Sequence, residues 1–91
     1  MPSLLFVVEE VFDLSGRSGL TLVPGLTADS PQARVGDPIE LRRPNGTSQR
    51  TRISAIESLT ANVRRIHPIV LPSEIEKQDV PIGTEVWQGV E

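Results

Sequence analysis

The stretch PIELRRPNGTSQRTRI, residues 38–53, decides the fold, because its alternating side chains admit only one good pairing of two antiparallel strands. A two-residue loop at positions 45 and 46 would turn Arg50 and Arg52 toward the apolar side of the hairpin. Burying an arginine against a hydrophobic core is costly. We therefore prefer a longer loop.

A loop of three residues, 44–46, avoids that cost. Proline suits the first position of a type I turn, and glycine suits the left-handed third position. Apolar residues of the first strand then face uncharged residues of the second: Ile39 faces Thr51, and Leu41 faces Gln49. On the other side of the hairpin, Glu40 faces Arg50 as a cross-strand ion pair.

Proline and glycine, eight and seven of the 91 residues, divide the rest of the chain into short segments typical of strands. We predict six strands, at residues 4–12, 20–23, 39–43, 49–55, 66–71 and 84–88. The second strand ends at Pro24-Gly25, the fourth bends near residues 54–55, and residues 73–77 form one helical turn capped by Ser73. Residues 13–19 and 27–37 are predicted loops.

Six short antiparallel strands favour an all-β fold, a small closed β-barrel, because closure leaves no exposed sheet edge. A chain of 91 residues is long enough for one small core. We therefore predict a single β-barrel domain over residues 1–91.

The composition excludes several kinds of site. There is no Cys, and His67 is the one histidine, so a thiolate or multi-histidine metal centre is excluded. No GxxxxGK phosphate loop and no nucleophile–base pair is evident, so we expect no enzyme activity, no cofactor and no bound nucleotide. The apolar residues 3–8 are too short to span a bilayer. We expect a cytoplasmic protein without a membrane partner.

Positive charge is concentrated in the middle of the chain. The net charge is −3, yet residues 34–65 hold seven arginines and three acidic residues between two acidic segments. Arg42, Arg50 and Arg52 point to the outer face of the predicted hairpin, Arg43 lies near its tip, and Arg64 and Arg65 follow on a later loop. Two interpretations stay open. These arginines form either a solvated face with ion pairs to Glu40 and Glu57, or a patch that binds phosphate or carboxylate.

Trp87 is the single tryptophan of the chain and lies near its C-terminus. We interpret it as a residue of the core or of the barrel closure. The alternative is an exposed anchor for a protein partner, a role in which tryptophan is enriched.

Five short motifs follow one another in the chain: FVVEEVFDLSGR at 6–17, LVPG at 22–25, VGDPIEL at 35–41, IE at 56–57 and VPIGTEV at 80–86. In this order they resemble the second domain of elongation factor Tu and its relatives, the translation-factor β-barrel family. The resemblance implies a six-stranded antiparallel barrel. In that family the barrel helps to hold the aminoacyl end of transfer RNA or docks on the ribosome, and Glu57 matches a family glutamate near the pocket for the terminal adenosine.

The resemblance and the arginines together predict a stand-alone, non-catalytic binding module without a GTPase domain. We predict that it binds RNA or a ribonucleoprotein through Arg42, Arg43, Arg50, Arg52, Arg64 and Arg65, together with Glu57. The alternative is a protein-interaction module that kept the barrel and lost RNA binding. A steep salt dependence of RNA binding would distinguish the first from the second.

Overall fold

The protein is described by a computed structural model that covers residues 2–13, 19–27, 30–57 and 67–89. The described residues form eight strands: β1 Ser3–Val7, β2 Glu10–Phe12, β3 Thr21–Leu26, β4 Pro38–Arg42, β5 Ser48–Arg52, β6 Ala55–Ile56, β7 His67–Val70 and β8 Glu85–Gln88. One short 3₁₀ helix, Lys77–Asp79, precedes β8. The predicted all-β class is confirmed. The predicted loop at 13–19 and Arg64 and Arg65 fall largely or wholly outside the described residues.

The strands form two antiparallel sheets of four. The first sheet has the order β1-β8-β4-β5, and the second has the order β2-β3-β7-β6. Among the described residues, fourteen buried apolar side chains form one core. They are Leu5, Phe6, Val8, Leu20, Leu22, Leu26, Ile39, Leu41, Ile53, Ile69, Leu71, Ile75, Val80 and Val86.

The six predicted strands are eight in the structure, arranged in two sheets, because two of the predicted strands are each broken in two. Val8 is the first break: its amide donates to Thr84 O (2.8 Å), whereas the next amide, of Glu9, donates to Val23 O (2.8 Å). Between Val8 and Glu9 the backbone therefore changes its hydrogen-bond partner. It leaves the segment of β8, which pairs with β1, and joins β3, which pairs with β2. A pattern of apolar side chains does not reveal such an exchange of partners, because residues 4–12 are apolar on both sides of the break.

The second break lies where the sequence predicts a bend. The Ile53 amide donates to Asp37 O (3.0 Å), beside β4, and the Ser54 amide donates to Val70 O (2.9 Å), in the second sheet. The bend near residues 54–55 therefore separates β5 from β6.

The hairpin of β4 and β5 has the predicted register. Ile39 pairs with Thr51, Leu41 with Gln49, and Glu40 with Arg50. The Arg43 amide donates to Thr47 O (2.8 Å), which closes the three-residue loop, and Gly46 has the left-handed φ of 92°. The turn chemistry and the alternation of side chains were enough to set this part of the fold.

Strand β3 continues through Pro24-Gly25, where the sequence predicts its end. Leu22 pairs with Ile69 and Leu26 pairs with His67, so the extra residues between them form an irregularity opposite Pro68. Gly25 has φ 78°, and a Cβ on it would lie 2.2 Å from His67 O. The strand continues because a glycine there lets the two backbones come close.

The predicted helical turn at 73–77 is displaced toward the C-terminus. The Glu76 amide donates to Asp79 Oδ2 (3.0 Å), and the Asp79 amide donates to Glu76 O (2.9 Å). These two bonds begin the 3₁₀ helix at Lys77, and Ser73 does not cap it. Ile75 is buried, and its side chain belongs to the core.

Candidate binding surface

The solvent-facing side of the first sheet, called here the outer face, carries the predicted arginines on β4 and β5. The register places Leu4, Trp87, Glu40 and Arg50 side by side across β1, β8, β4 and β5. A second row holds Val7, Glu85, Arg42 and Ser48. The intervening residues of these strands point into the core, so strand alternation leaves both rows outside.

Trp87 lies on the outer face and not in the core. The core position of β8 is taken by Val86, which is fully buried, whereas Trp87 is half-buried. The guanidinium carbon of Arg42 lies 4.4 Å from the centroid of the Trp87 ring. The indole Nε1–H donates to Glu85 Oε1 (2.9 Å), which holds the ring at its edge. The interpretation of Trp87 as a core residue is therefore wrong.

Arg42 is held in place by a covered carboxylate. Its Nε–H donates to Glu40 Oε1 at 2.5 Å. The side chain of Arg42 is 40% exposed and that of Glu40 is 13% exposed. Solvent therefore meets the guanidinium more than the carboxylate, and neither terminal amino group of Arg42 donates a hydrogen bond to any part of the chain that the structure describes.

Arg50 and Arg52 extend the outer face along β5, and both side chains are exposed. Arg52 Nη1 lies 3.7 Å from Glu74 Oε1, and both of these side chains are more than half exposed. An exposed ion pair of this kind contributes little to stability. Among the described residues, the face therefore carries three arginines together with three carboxylates, those of Glu40, Glu74 and Glu85.

Arg43 is separated from the other arginines of the hairpin. Its Nε–H donates to Asp79 O (2.6 Å), at the end of the 3₁₀ helix. Its terminal amino groups donate to Thr47 Oγ1 (3.3 Å) and to Gln49 Oε1. Arg43 lies two residues after the buried Leu41 and therefore on the same side of the hairpin, opposite to the outer face. Its guanidinium joins the hairpin to the helix.

Glu57 also lies elsewhere. It follows β6 in the second sheet, and its amide donates to Pro68 O (2.8 Å). Of the predicted site residues, the structure thus brings together Arg42, Arg50 and Arg52 and separates Arg43 and Glu57 from them. Leu4, Val7, Glu85 and the outward position of Trp87 were not predicted from the sequence. The shared parity of Glu85 and Trp87 on one strand was the available signal.

The structure offers other surfaces besides the outer face. A groove of about 710 Å³ runs beside the 3₁₀ helix and is lined by Leu20, Ile75 and Lys77 among others.

Among the described residues there is no group of three His, Asp or Glu side chains placed to hold a metal ion. Within the same part of the chain, no helix has the length and apolar character needed to cross a membrane. Comparison with protein-family models, curated proteins and solved structures gives no match to this chain.

Proposed function

We propose that this chain is a non-catalytic binding module of the translation-factor β-barrel type, and that its outer face binds a protein. The observation that carries the proposal is the stacking of Arg42 on Trp87 at 4.4 Å, on an open sheet face. Tryptophan and arginine dominate the energetic centres of protein interfaces. Here both are oriented by carboxylates before any partner arrives, which lowers the entropy lost on binding.

The barrel assignment is part of the proposal. It is supported by the resemblance of the sequence to the second domain of elongation factor Tu and its relatives. It is also supported by the two places, at Val8–Glu9 and Ile53–Ser54, where one chain segment bonds first to one sheet and then to the other. Strands that pass between sheets in this way form the corners of small barrels.

The charges of the outer face favour a protein over RNA as the partner. In the part of the chain that the structure describes, three carboxylates lie beside its three arginines, whereas RNA binding draws mainly on cations that are not compensated. The guanidinium of Arg42 also covers one face of the Trp87 ring, which limits stacking of a base there.

RNA or ribonucleoprotein binding is the second candidate. The exposed side chains of Arg50 and Arg52, two residues apart on β5, favour it. Arginines at this spacing on a strand share a face and would contact neighbouring phosphates of a backbone.

The experiment uses the intact chain as bait in a nuclease-treated lysate of its source cells, followed by titration of each purified candidate partner. Trp87→Ala and Arg42→Ala are expected to weaken binding at least tenfold, as truncation of a central interface residue does. Ile82→Ala is the control, because Ile82 is 69% exposed and lies outside the outer face.

Two results would overturn the proposal. One is a partner whose affinity is the same for wild type and for a folded Trp87→Ala variant. The other is saturable binding of an unstructured RNA whose affinity falls steeply with salt and falls further in Arg50→Ala and Arg52→Ala. That second result would establish the RNA candidate instead.

A further inference from the structure

We infer that the outer face recognises an acidic residue placed two positions from an aliphatic residue in an extended segment of its protein partner. This inference rests on the proposed function and deepens it. It follows from two features of the face. One is the pair of terminal amino groups of Arg42, called here the fork, and the other is an apolar strip formed by Leu4 and Val7 on β1.

The fork of Arg42 is oriented before binding. Nε donates to Glu40 Oε1, and the guanidinium plane lies over the Trp87 ring. The exposed end of the group therefore carries Nη1 and Nη2. Two amino groups held in one plane match the two oxygens of a carboxylate, which arginine binds through a pair of parallel hydrogen bonds.

The apolar strip lies on β1, and β8 separates it from β4, which carries Arg42. Leu4 is 39% exposed and Val7 is 41% exposed, although both side chains are large and aliphatic. The register pairs Leu4 with Trp87 and Val7 with Glu85, so the strip lies one strand away from the Trp87 ring. The strip and the backbone of Arg42 are two strand spacings apart, about 10 Å, but the Arg42 guanidinium lies over the Trp87 ring on the strand between them. Side chains at i and i+2 of an extended peptide lie roughly 7 Å apart on the same side. An aliphatic residue and an acidic residue at i and i+2 therefore reach the strip and the fork together.

The same features favour a carboxylate of a protein over a phosphate of a nucleic acid. Glu85 pairs with Arg42 in the register of β8 and β4, so a chain of phosphates crossing Arg42 would bring repeated negative charge to a carboxylate. A peptide brings one negative charge to the fork. It also buries the exposed surface of Leu4 and Val7, which a sugar–phosphate backbone does not.

The test uses small probes and nitrogen-15 NMR of the intact chain. The probes are acetyl-Leu-Ala-Glu-Ala-amide, the same peptide with Gln in place of Glu, and inorganic phosphate. The Nε1–H of Trp87 and the Nε–H of Arg42 report on the fork directly. We expect saturable shifts of both signals with the Glu peptide, and affinity roughly tenfold lower for the Gln peptide, as expected for the loss of one charge-assisted pair.

Two variants separate the fork from simple charge. Arg42→Lys keeps the positive charge and removes the paired donors, so it is expected to abolish the preference for Glu over Gln. Arg52→Lys, on the same face, is the matched control and is expected to keep the preference.

Equal affinity for the two peptides, or no saturable shift with either, would overturn the inference. Saturation by inorganic phosphate at lower concentration than by the Glu peptide would also overturn it and would point to a phosphate site. These results are independent of the test of the proposed function. A protein partner that needs Trp87 can exist without any preference for Glu over Gln, and the preference can exist without a partner that needs Trp87.

Discussion

Arg42 and Trp87 are 45 positions apart in the chain, yet the guanidinium carbon of one lies 4.4 Å from the ring centroid of the other. The contact is diagonal across two paired strands. Trp87 pairs with Glu40, and Arg42 pairs with Glu85, so each member of the cation–π pair faces the carboxylate that holds the other. Four side chains thus form one network on the outer face.

The cation–π contact is expected to contribute to stability as well as to binding. In a double-mutant cycle with Arg42→Met and Trp87→Leu, we predict a coupling free energy of about 0.5–1 kcal/mol, the range for partly exposed cation–π pairs. Urea unfolding followed by circular dichroism measures all four proteins. A coupling free energy near zero would show that the two side chains touch without stabilising each other.

Arg43 is expected to stabilise the fold more than any arginine of the outer face. Its guanidinium donates to Asp79 O, Thr47 Oγ1 and Gln49 Oε1, and so joins the hairpin to the 3₁₀ helix. We predict that Arg43→Ala lowers the free energy of unfolding by about 1.5–3 kcal/mol. Arg52→Ala is the control and should change it by about 0.5 kcal/mol or less. Similar losses for the two variants in urea unfolding would contradict this assignment.

Gly25 is expected to tolerate no side chain. Its φ is 78°, and a Cβ there would lie 2.2 Å from His67 O and 2.5 Å from Pro68 Cα, both backbone atoms. We predict that Gly25→Ala costs about 3 kcal/mol or more, because the clash adds to the strain of the left-handed backbone.

Gly36→Ala separates these two causes. Gly36 has a similar φ of 92°, but apart from its chain neighbours no residue has an atom within 4 Å of a Cβ built on it. Gly36→Ala is expected to lower the free energy of unfolding only by the strain of the left-handed backbone, about 1–2 kcal/mol. Thermal unfolding of the two variants gives the comparison, and equal losses would mean that β3 and β7 can move apart.

Two threonines form a second matched pair. The hydroxyl of Thr51 is buried without a hydrogen-bond partner among the described residues, whereas the hydroxyl of Thr84 donates to Pro81 O at 2.6 Å. We predict that Thr51→Val leaves stability unchanged or raises it by up to about 1 kcal/mol, because valine removes an unpaired polar group. Thr84→Val should lower stability by about 1–2 kcal/mol. A larger loss at Thr51 than at Thr84 in urea unfolding would refute this prediction.

The parts of the fold that depend on neighbouring residues were predictable. The three-residue loop at 44–46 and the pairing of Ile39 with Thr51 follow from turn chemistry and from the cost of burying Arg50. The bend near residues 54–55 was visible as a change in the phase of the apolar residues. Each of these signals lies within about ten residues of chain.

The candidate site was predictable only in part. Arg42, Arg50 and Arg52 share a parity on the hairpin, so their common face could be predicted. The hydrogen bond of Arg43 to the 3₁₀ helix could not be predicted, because its acceptor, Asp79 O, is 36 residues away in the chain. The orientation of Trp87 was indicated only by the parity that it shares with Glu85, because Val86 and Trp87 are both apolar and either one can fill a core.

The sequence by itself determined the all-β class, the register of the central hairpin and the outward orientation of three arginines. Those properties come from alternation and from turn residues, which act locally along the chain. Only the tertiary structure decided that residues 4–12 divide between two sheets, that β8 lies between β1 and β4, and that Trp87 meets Arg42. Those properties depend on which distant backbone groups form hydrogen bonds, and a pattern of apolar and polar residues does not specify that choice.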